Sequence, residues 1–154
     1  MTRFLRCVRS GEITAVNGLM KKKLNEREKK LKAEKRLKRR TELEGLELHK
    51  RVCLKLNGAC LLCDKPANVV HHYRTQGAYA HMKFLIENGI SLCNGCHFRL
   101  HIGNNALQDK IRDIKGSIWY AKINKIGNQS PANYQTLEYY QEQIKYLKGV
   151  LKRL

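Results

Sequence analysis

Neither a membrane nor an oxidising compartment finds support in this 154-residue sequence. No apolar run approaches the ~20 residues that span a bilayer. The first twenty residues, MTRFLRCVRSGEITAVNGLM, contain no continuous apolar stretch of the kind a secretory signal needs. The six cysteines are therefore not read as a disulfide framework, which belongs to secreted domains, and a cytoplasmic protein is expected. Proline is scarce, with Pro66 and Pro131 alone, so long helices can run uninterrupted. Acid is scarce as well: 13 Asp and Glu stand against 31 Lys and Arg, a formal net charge of +18. The length suits one domain with an extension.

The positive charge is a field rather than a tail. Residues 1–50, 51–104 and 105–154 carry net charges of +9, +4 and +5. Lysine and arginine release condensed counterions when they neutralise phosphates, so a nucleic acid is the expected partner. An acidic membrane surface competes poorly, because no segment pairs a basic face with a Trp- or Phe-rich one.

Three regions follow from composition. Residues 1–56 form a basic N-terminal helical extension. Between Leu19 and Gly58 the only glycine is Gly45, and the stretch is dense in good helix formers. Residues 21–40 hold twelve basic and three acidic side chains, and Lys35, Arg36, Arg39 and Arg40 are the expected DNA contacts. Its apolar stripe is thin at Leu24, Leu31 and Leu37 and strengthens only at Leu43, Leu46, Leu48 and Val52. Taken alone, this segment reads equally as a solvated arm. Residues 57–104 form a compact centre rich in Gly, Cys and His. Residues 105–154 are helical, first through Leu107, Ile111, Ile114, Ile118 and Trp119. A second helix is expected with Ser130 as N-cap and Pro131 in its first turn. It sets Leu137, Tyr140, Ile144, Leu147, Leu151 and Leu154 three or four apart, a seam for packing within the chain or on a second copy as a homodimer.

Cys60-Leu61-Leu62-Cys63 and Cys93-Asn94-Gly95-Cys96 are both C-x₂-C. Two such knuckles complete a tetrahedral sulfur site suited to structural Zn²⁺. A thioredoxin-like redox pair would need a βαβ pattern, and neither motif has one around it. Cys7 and Cys53 fall outside the pattern and read as plain thiols.

Between and after the knuckles come His71-His72, Asn88, His97 and His101. His97 and His101 are four apart and share one face of a helix. A strand ending at Val70 would deliver His71 and His72 in opposite directions, and Asn88 precedes a second strand, Ile90-Ser91-Leu92. In this order the string CLLC, seven residues, HHYRTQGAYAHMKFLIENGISLCNGCHFRLH resembles the HNH (His-Me finger) endonucleases. The steps of 16 from His72 to Asn88 and 9 from Asn88 to His97 suit that motif. HHYRT and NGI-x-LC-x₂-CH behind a basic helix are more narrowly similar to the recombination nucleases of lambdoid phages, the Rap (NinG) type.

The resemblance implies an α+β, predominantly helical chain. Its centre would be a zinc-knuckle-clamped ββα-metal core, flanked by the long basic helix and the C-terminal helices. It also implies a metal-dependent DNA endonuclease acting on branched recombination or repair intermediates, in the host cytoplasm if phage-encoded. His72 would be the general base; His71, His97 and His101 would hold a catalytic divalent ion, Mg²⁺ or Mn²⁺. Asn88 would fix the loop that orients His72, and Arg74 and Arg99 would clamp phosphate. His49 and His81 have no place in the scheme and read as surface or packing residues. Two other functions fit parts of the same sequence: a non-catalytic zinc-stabilised nucleic-acid-binding module, and a homing or restriction-type HNH nicking enzyme.

Overall fold

Residues 10–129 and 131–154 are described by a computed structural model. Among them the chain is mostly helical, with a two-stranded antiparallel sheet. The basic segment forms one helix, α1 (Ser10–Leu56), as its composition dictates. The chain divides into two compact units, one ending at Arg39 and the other running Arg40–Leu154. The compact unit thus starts inside α1 rather than after residue 56, because the apolar stripe from Leu48 onward is core. Leu48 and Val52 are buried, whereas Leu24, Leu31 and Leu37 are exposed.

Within the second unit, β1 (Val69–His72) pairs with β2 (Gly89–Leu92) in the register Val69↔Leu92, Val70↔Ser91, His71↔Ile90 and His72↔Gly89. The strand therefore extends two residues past Val70 and includes both histidines. β2 is buried along its whole length and lies against α1, where Ser91 donates to the Cys53 carbonyl at 3.1 Å. Gly89 permits that approach: a Cβ there would lie 2.6 Å from Cys53 Sγ and 2.9 Å from His49 Cε1. Next comes α2 (Asn94–His101), giving the local order strand, strand, helix.

The region from 105 reads as one helix in sequence and folds as two, α3 (Asn105–Lys115) and α4 (Ser117–Gly127). The break is Gly116, whose φ of 84° lies in the left-handed region a helix interior cannot use. The last helix, α5 (Leu137–Arg153), starts later than expected. Its N-cap is Thr136, whose hydroxyl accepts from the Tyr139 amide at 3.1 Å. Pro131 sits in the preceding turns, and Ser130 lies outside the described residues.

Two apolar clusters result. One joins Leu62, Tyr73, Met82, Ile90, Leu92, Ile111 and Ile123 around the sheet, α3 and α4. The other joins Leu48 and Val52 of α1 to Phe84 and to Tyr140, Ile144 and Leu147 of α5. The middle of the C-terminal seam is thus spent inside the chain and does not form the exposed face a seam-mediated homodimer would need.

Candidate metal centres

The first C-x₂-C pair sits on a tight turn. The Cys60 amide donates to the Lys65 carbonyl at 2.7 Å, and the Cys60 carbonyl accepts from the amides of Cys63 and Asp64. Asp64 adopts a φ of 59°, a left-handed value that aspartate tolerates better than most side chains. The Leu61 amide then donates to Ser91 of β2 at 3.1 Å, fastening the turn to the sheet. The second pair straddles the start of α2, with Cys93 as its N-cap, so both knuckles hang from elements that the core already holds.

The four sulfurs lie within 4.8 Å of one another. Cys63 Sγ is 3.6 Å from Cys93 Sγ and 3.5 Å from Cys96 Sγ. Tetrahedral zinc with ~2.3 Å bonds sets sulfurs ~3.8 Å apart, so this cluster could hold a structural metal such as zinc. The backbone amide of Cys96 draws the Cys93 thiol down to about 6, while burial pushes the Cys96 thiol up to about 12. Arg99, expected as a phosphate clamp, donates instead to Cys96 Sγ at 3.1 Å. The i, i+3 spacing on α2 brings it there, so Arg99 supports the sulfur cluster.

Adjacent residues on a strand face opposite ways, and β1 uses this to separate two histidines. His71 points towards α2, where His97 and His101 lie one turn apart. One ring nitrogen from each of the three falls within 4.8 Å of the others, and the Nε2 atoms of His97 and His101 are 3.1 Å apart. Burial pushes His71 down to about 4, with His97, His101 and His72 adding repulsion; burial and His101 also lower His97. Both are neutral at pH 7, the form in which imidazole ligates a metal.

His72 points the other way, towards α1. Its Nε2 lies 2.9 Å from the Lys83 carbonyl. A carbonyl can only accept, so Nε2 carries the proton and Nδ1 carries the free lone pair. The Gln76 side-chain amide stands over the ring, 3.0 Å from Nδ1 and 3.4 Å from Nε2. Burial lowers the His72 pKa against the opposing pull of the carbonyl, leaving the ring neutral at pH 7. An open cleft of about 320 Å³ is lined by Val70, His71, His72, Thr75, Gln76, His97 and His101. The three-histidine cluster and His72 share this one space.

Asn88 is 0% exposed and fully used. Its Oδ1 accepts from the Arg74 amide at 2.8 Å, and its Nδ2 donates to the carbonyls of Arg74 at 3.0 Å and Met82 at 3.2 Å. It therefore ties both ends of the 74–82 loop, beside the Lys83 carbonyl that holds His72. Arg74 departs from expectation. Its guanidinium bonds Asn124 of α4 and lies over the Tyr73 and Tyr79 rings at 5.9 and 5.2 Å, and it does not line the histidine cleft. Arg74 lies just past β1 and its side chain reaches α4, so this arginine braces the loop.

Lys35, Arg36, Arg39 and Arg40 are exposed along α1. His81 packs against α4, its Nε2 donating to the Ile126 carbonyl at 3.1 Å. Cys53 is buried, with its thiol pushed up to about 12 by burial, as a plain thiol should be; Cys7 lies outside the described residues. His49 belongs to the site after all: it is 1% exposed, and its ring stacks on His72 with centroids 5.0 Å apart. Its position three residues after Leu46 and three before Val52, on the core-facing stripe of α1, is the signal in the sequence that points there. Lys83 is buried too, its ammonium donating to Glu42 at 2.6 Å and to the Tyr140 hydroxyl at 2.8 Å. No family model, curated protein or solved structure matches this chain.

Proposed function

We propose that this protein is a metal-dependent DNA endonuclease with a ββα-metal core, acting on branched recombination or repair intermediates. The observation that carries the reading is the shared cleft: three converging imidazole nitrogens on one side, and on the other a neutral histidine with its Nε2 tied and its Nδ1 lone pair presented. Bonds of ~2.0–2.1 Å set neighbouring ligand atoms ~2.9 Å apart in octahedral and ~3.4 Å apart in tetrahedral coordination, and the 3.1 Å between His97 and His101 falls between the two.

His71, His97 and His101 would hold the ion, leaving positions open to a phosphate. A bound divalent metal supplies charge stabilisation at the phosphoryl oxygens and the departing 3′ oxygen. His72 takes a proton at Nδ1 from the attacking water. Asn88 acts through the loop, holding Arg74 and Met82 so that the neighbouring Lys83 carbonyl stays in register with His72. The basic face of α1, with Lys35, Arg36, Arg39 and Arg40, supplies sequence-independent phosphate contacts.

The test is cleavage of flapped, three-way, four-way and linear duplex DNA, with Mg²⁺ or Mn²⁺ and with chelator. Metal-dependent cutting that favours branched substrates supports the reading. Tight DNA binding without cutting under any divalent metal would leave the zinc-stabilised binding module, and equal cutting of all substrates would leave a general nicking enzyme.

A further inference from the structure

His72 is held at three points, and only two of them come from its own neighbourhood. Nε2 donates to the Lys83 carbonyl at 2.9 Å, and the Gln76 amide stands 3.0 Å from Nδ1 and 3.4 Å from Nε2, over the ring rather than along the Nδ1 lone pair. The third point is a ring face from a distant part of the chain. His49 of α1 lies parallel to His72, with a centroid separation of 5.0 Å and an interplanar angle of 23°.

His49 is itself locked. Its Nε2 donates to the Leu85 carbonyl at 3.0 Å, two residues along from the carbonyl that holds His72. Cys53 lies one turn further along α1, its Sγ 3.5 Å from the same nitrogen. The bare Cα of Gly89 leaves the room this packing needs. An ordinary apolar side chain would fill the space without requiring a buried donor–acceptor pair. The arrangement is one that fixes a ring at a set height and tilt.

We propose that His49 is a positioning residue for the base: the inner end of the basic helix supplies the stacking platform that holds His72 in line with the three-histidine cluster. This rests on the nuclease reading above for its consequence in rate, but not for its geometry. Burial also keeps His49 uncharged, so an imidazolium forming on His72 meets a neutral aromatic face rather than a like charge.

The experiment compares His49→Ala and His49→Phe in the full chain, by cleavage kinetics and by side-chain ¹⁵N NMR of His72. His49→Ala is expected to lower kcat about 10- to 100-fold, the usual cost of a misplaced catalytic group, with KM for DNA within about twofold. His49→Phe, which keeps the ring and loses the Leu85 bond, should recover most of that loss. In the NMR spectrum, wild type and His49→Phe should show His72 as a single Nε2-protonated tautomer, and His49→Ala should show tautomer averaging. The proposal is overturned if His49→Ala cuts like wild type, if both variants lose activity only in step with folded fraction, or if His72 keeps its tautomer in His49→Ala. Should wild type cut nothing with any metal, the nuclease reading fails by itself, and the NMR comparison still decides whether His49 positions His72.

Discussion

The two clusters of metal-ligating side chains are built on the same small framework yet differ in every physical respect. The four cysteines come from two turns, Cys60 and Cys96 are fully buried, and their sulfurs face one another. The three histidines come from one strand and one helix, lie partly exposed, and open on a cleft that also holds His72. Four soft donors closing on a point leave nothing for a substrate to occupy. Three nitrogen donors at the wall of a cleft leave room for a fourth partner. The contrast separates a site that could hold the fold together from one proposed to act on something else.

The largest effect is expected at the sulfur cluster. Cys60→Ser should cost the folded state outright, because metal binding and folding are one equilibrium in such a site. Circular dichroism and elemental analysis should report lost helix together with lost zinc. A folded, metal-free variant would remove the distinction from this side. His97→Ala should behave oppositely, keeping fold and zinc while losing metal-dependent cleavage.

His72→Ala comes next. Removing a general base typically costs 10²- to 10⁴-fold in rate. DNA affinity measured by fluorescence anisotropy should stay nearly unchanged, since the base serves the transition state. Cleavage at the wild-type rate would reassign the base.

Acid should then weaken the fold through His49. Burial holds its folded pKa at about 4, below the ordinary 6.5. The unfolded chain therefore binds the proton first. Stability is full above about pH 6.5 and is lost as pH falls towards 4, by on the order of 2–3 kcal/mol. Denaturant melts of wild type and His49→Phe between pH 7 and 4.5 should show a shallower loss in the variant. Equal slopes would mean that another group carries the acid sensitivity.

The smallest effect belongs to α1. Replacing Lys35, Arg36, Arg39 and Arg40 with glutamine should flatten the dependence of log K on log salt by about 0.9 for each duplex phosphate that is no longer neutralised. Cleavage at low salt should survive. An unchanged slope would place the DNA elsewhere on the molecule.

Much of this is legible in the sequence, and what is not has identifiable causes. The knuckles are readable because C-x₂-C spacing itself sets the geometry of a turn. The split of His71 from His72 follows from strand alternation, and the pairing of His97 with His101 from helical period. What spacing does not reveal is packing across the fold. Arg74 looks free to clamp phosphate in sequence, yet Asn124, fifty residues on, takes its guanidinium. Arg99 also looks free in sequence, and although it is exposed its guanidinium donates to Cys96 Sγ. His49 sits on the core-facing stripe, yet only the packing of α1 on β1 and β2 brings its ring against His72. The α5 seam is readable as apolar, but its partner is Leu48, Val52 and Phe84 of the same chain.

The central claim is that one cluster is closed and structural and the other open and catalytic. It is tested most directly by mild chelation followed by divalent-metal add-back, reading zinc content and cleavage of branched DNA on the same sample. The account predicts that about one zinc per chain survives chelation while cleavage vanishes, and that Mg²⁺ or Mn²⁺ restores cleavage without changing the zinc content. Cleavage that continues in chelator, or that no divalent metal restores in protein still holding its zinc, would contradict it.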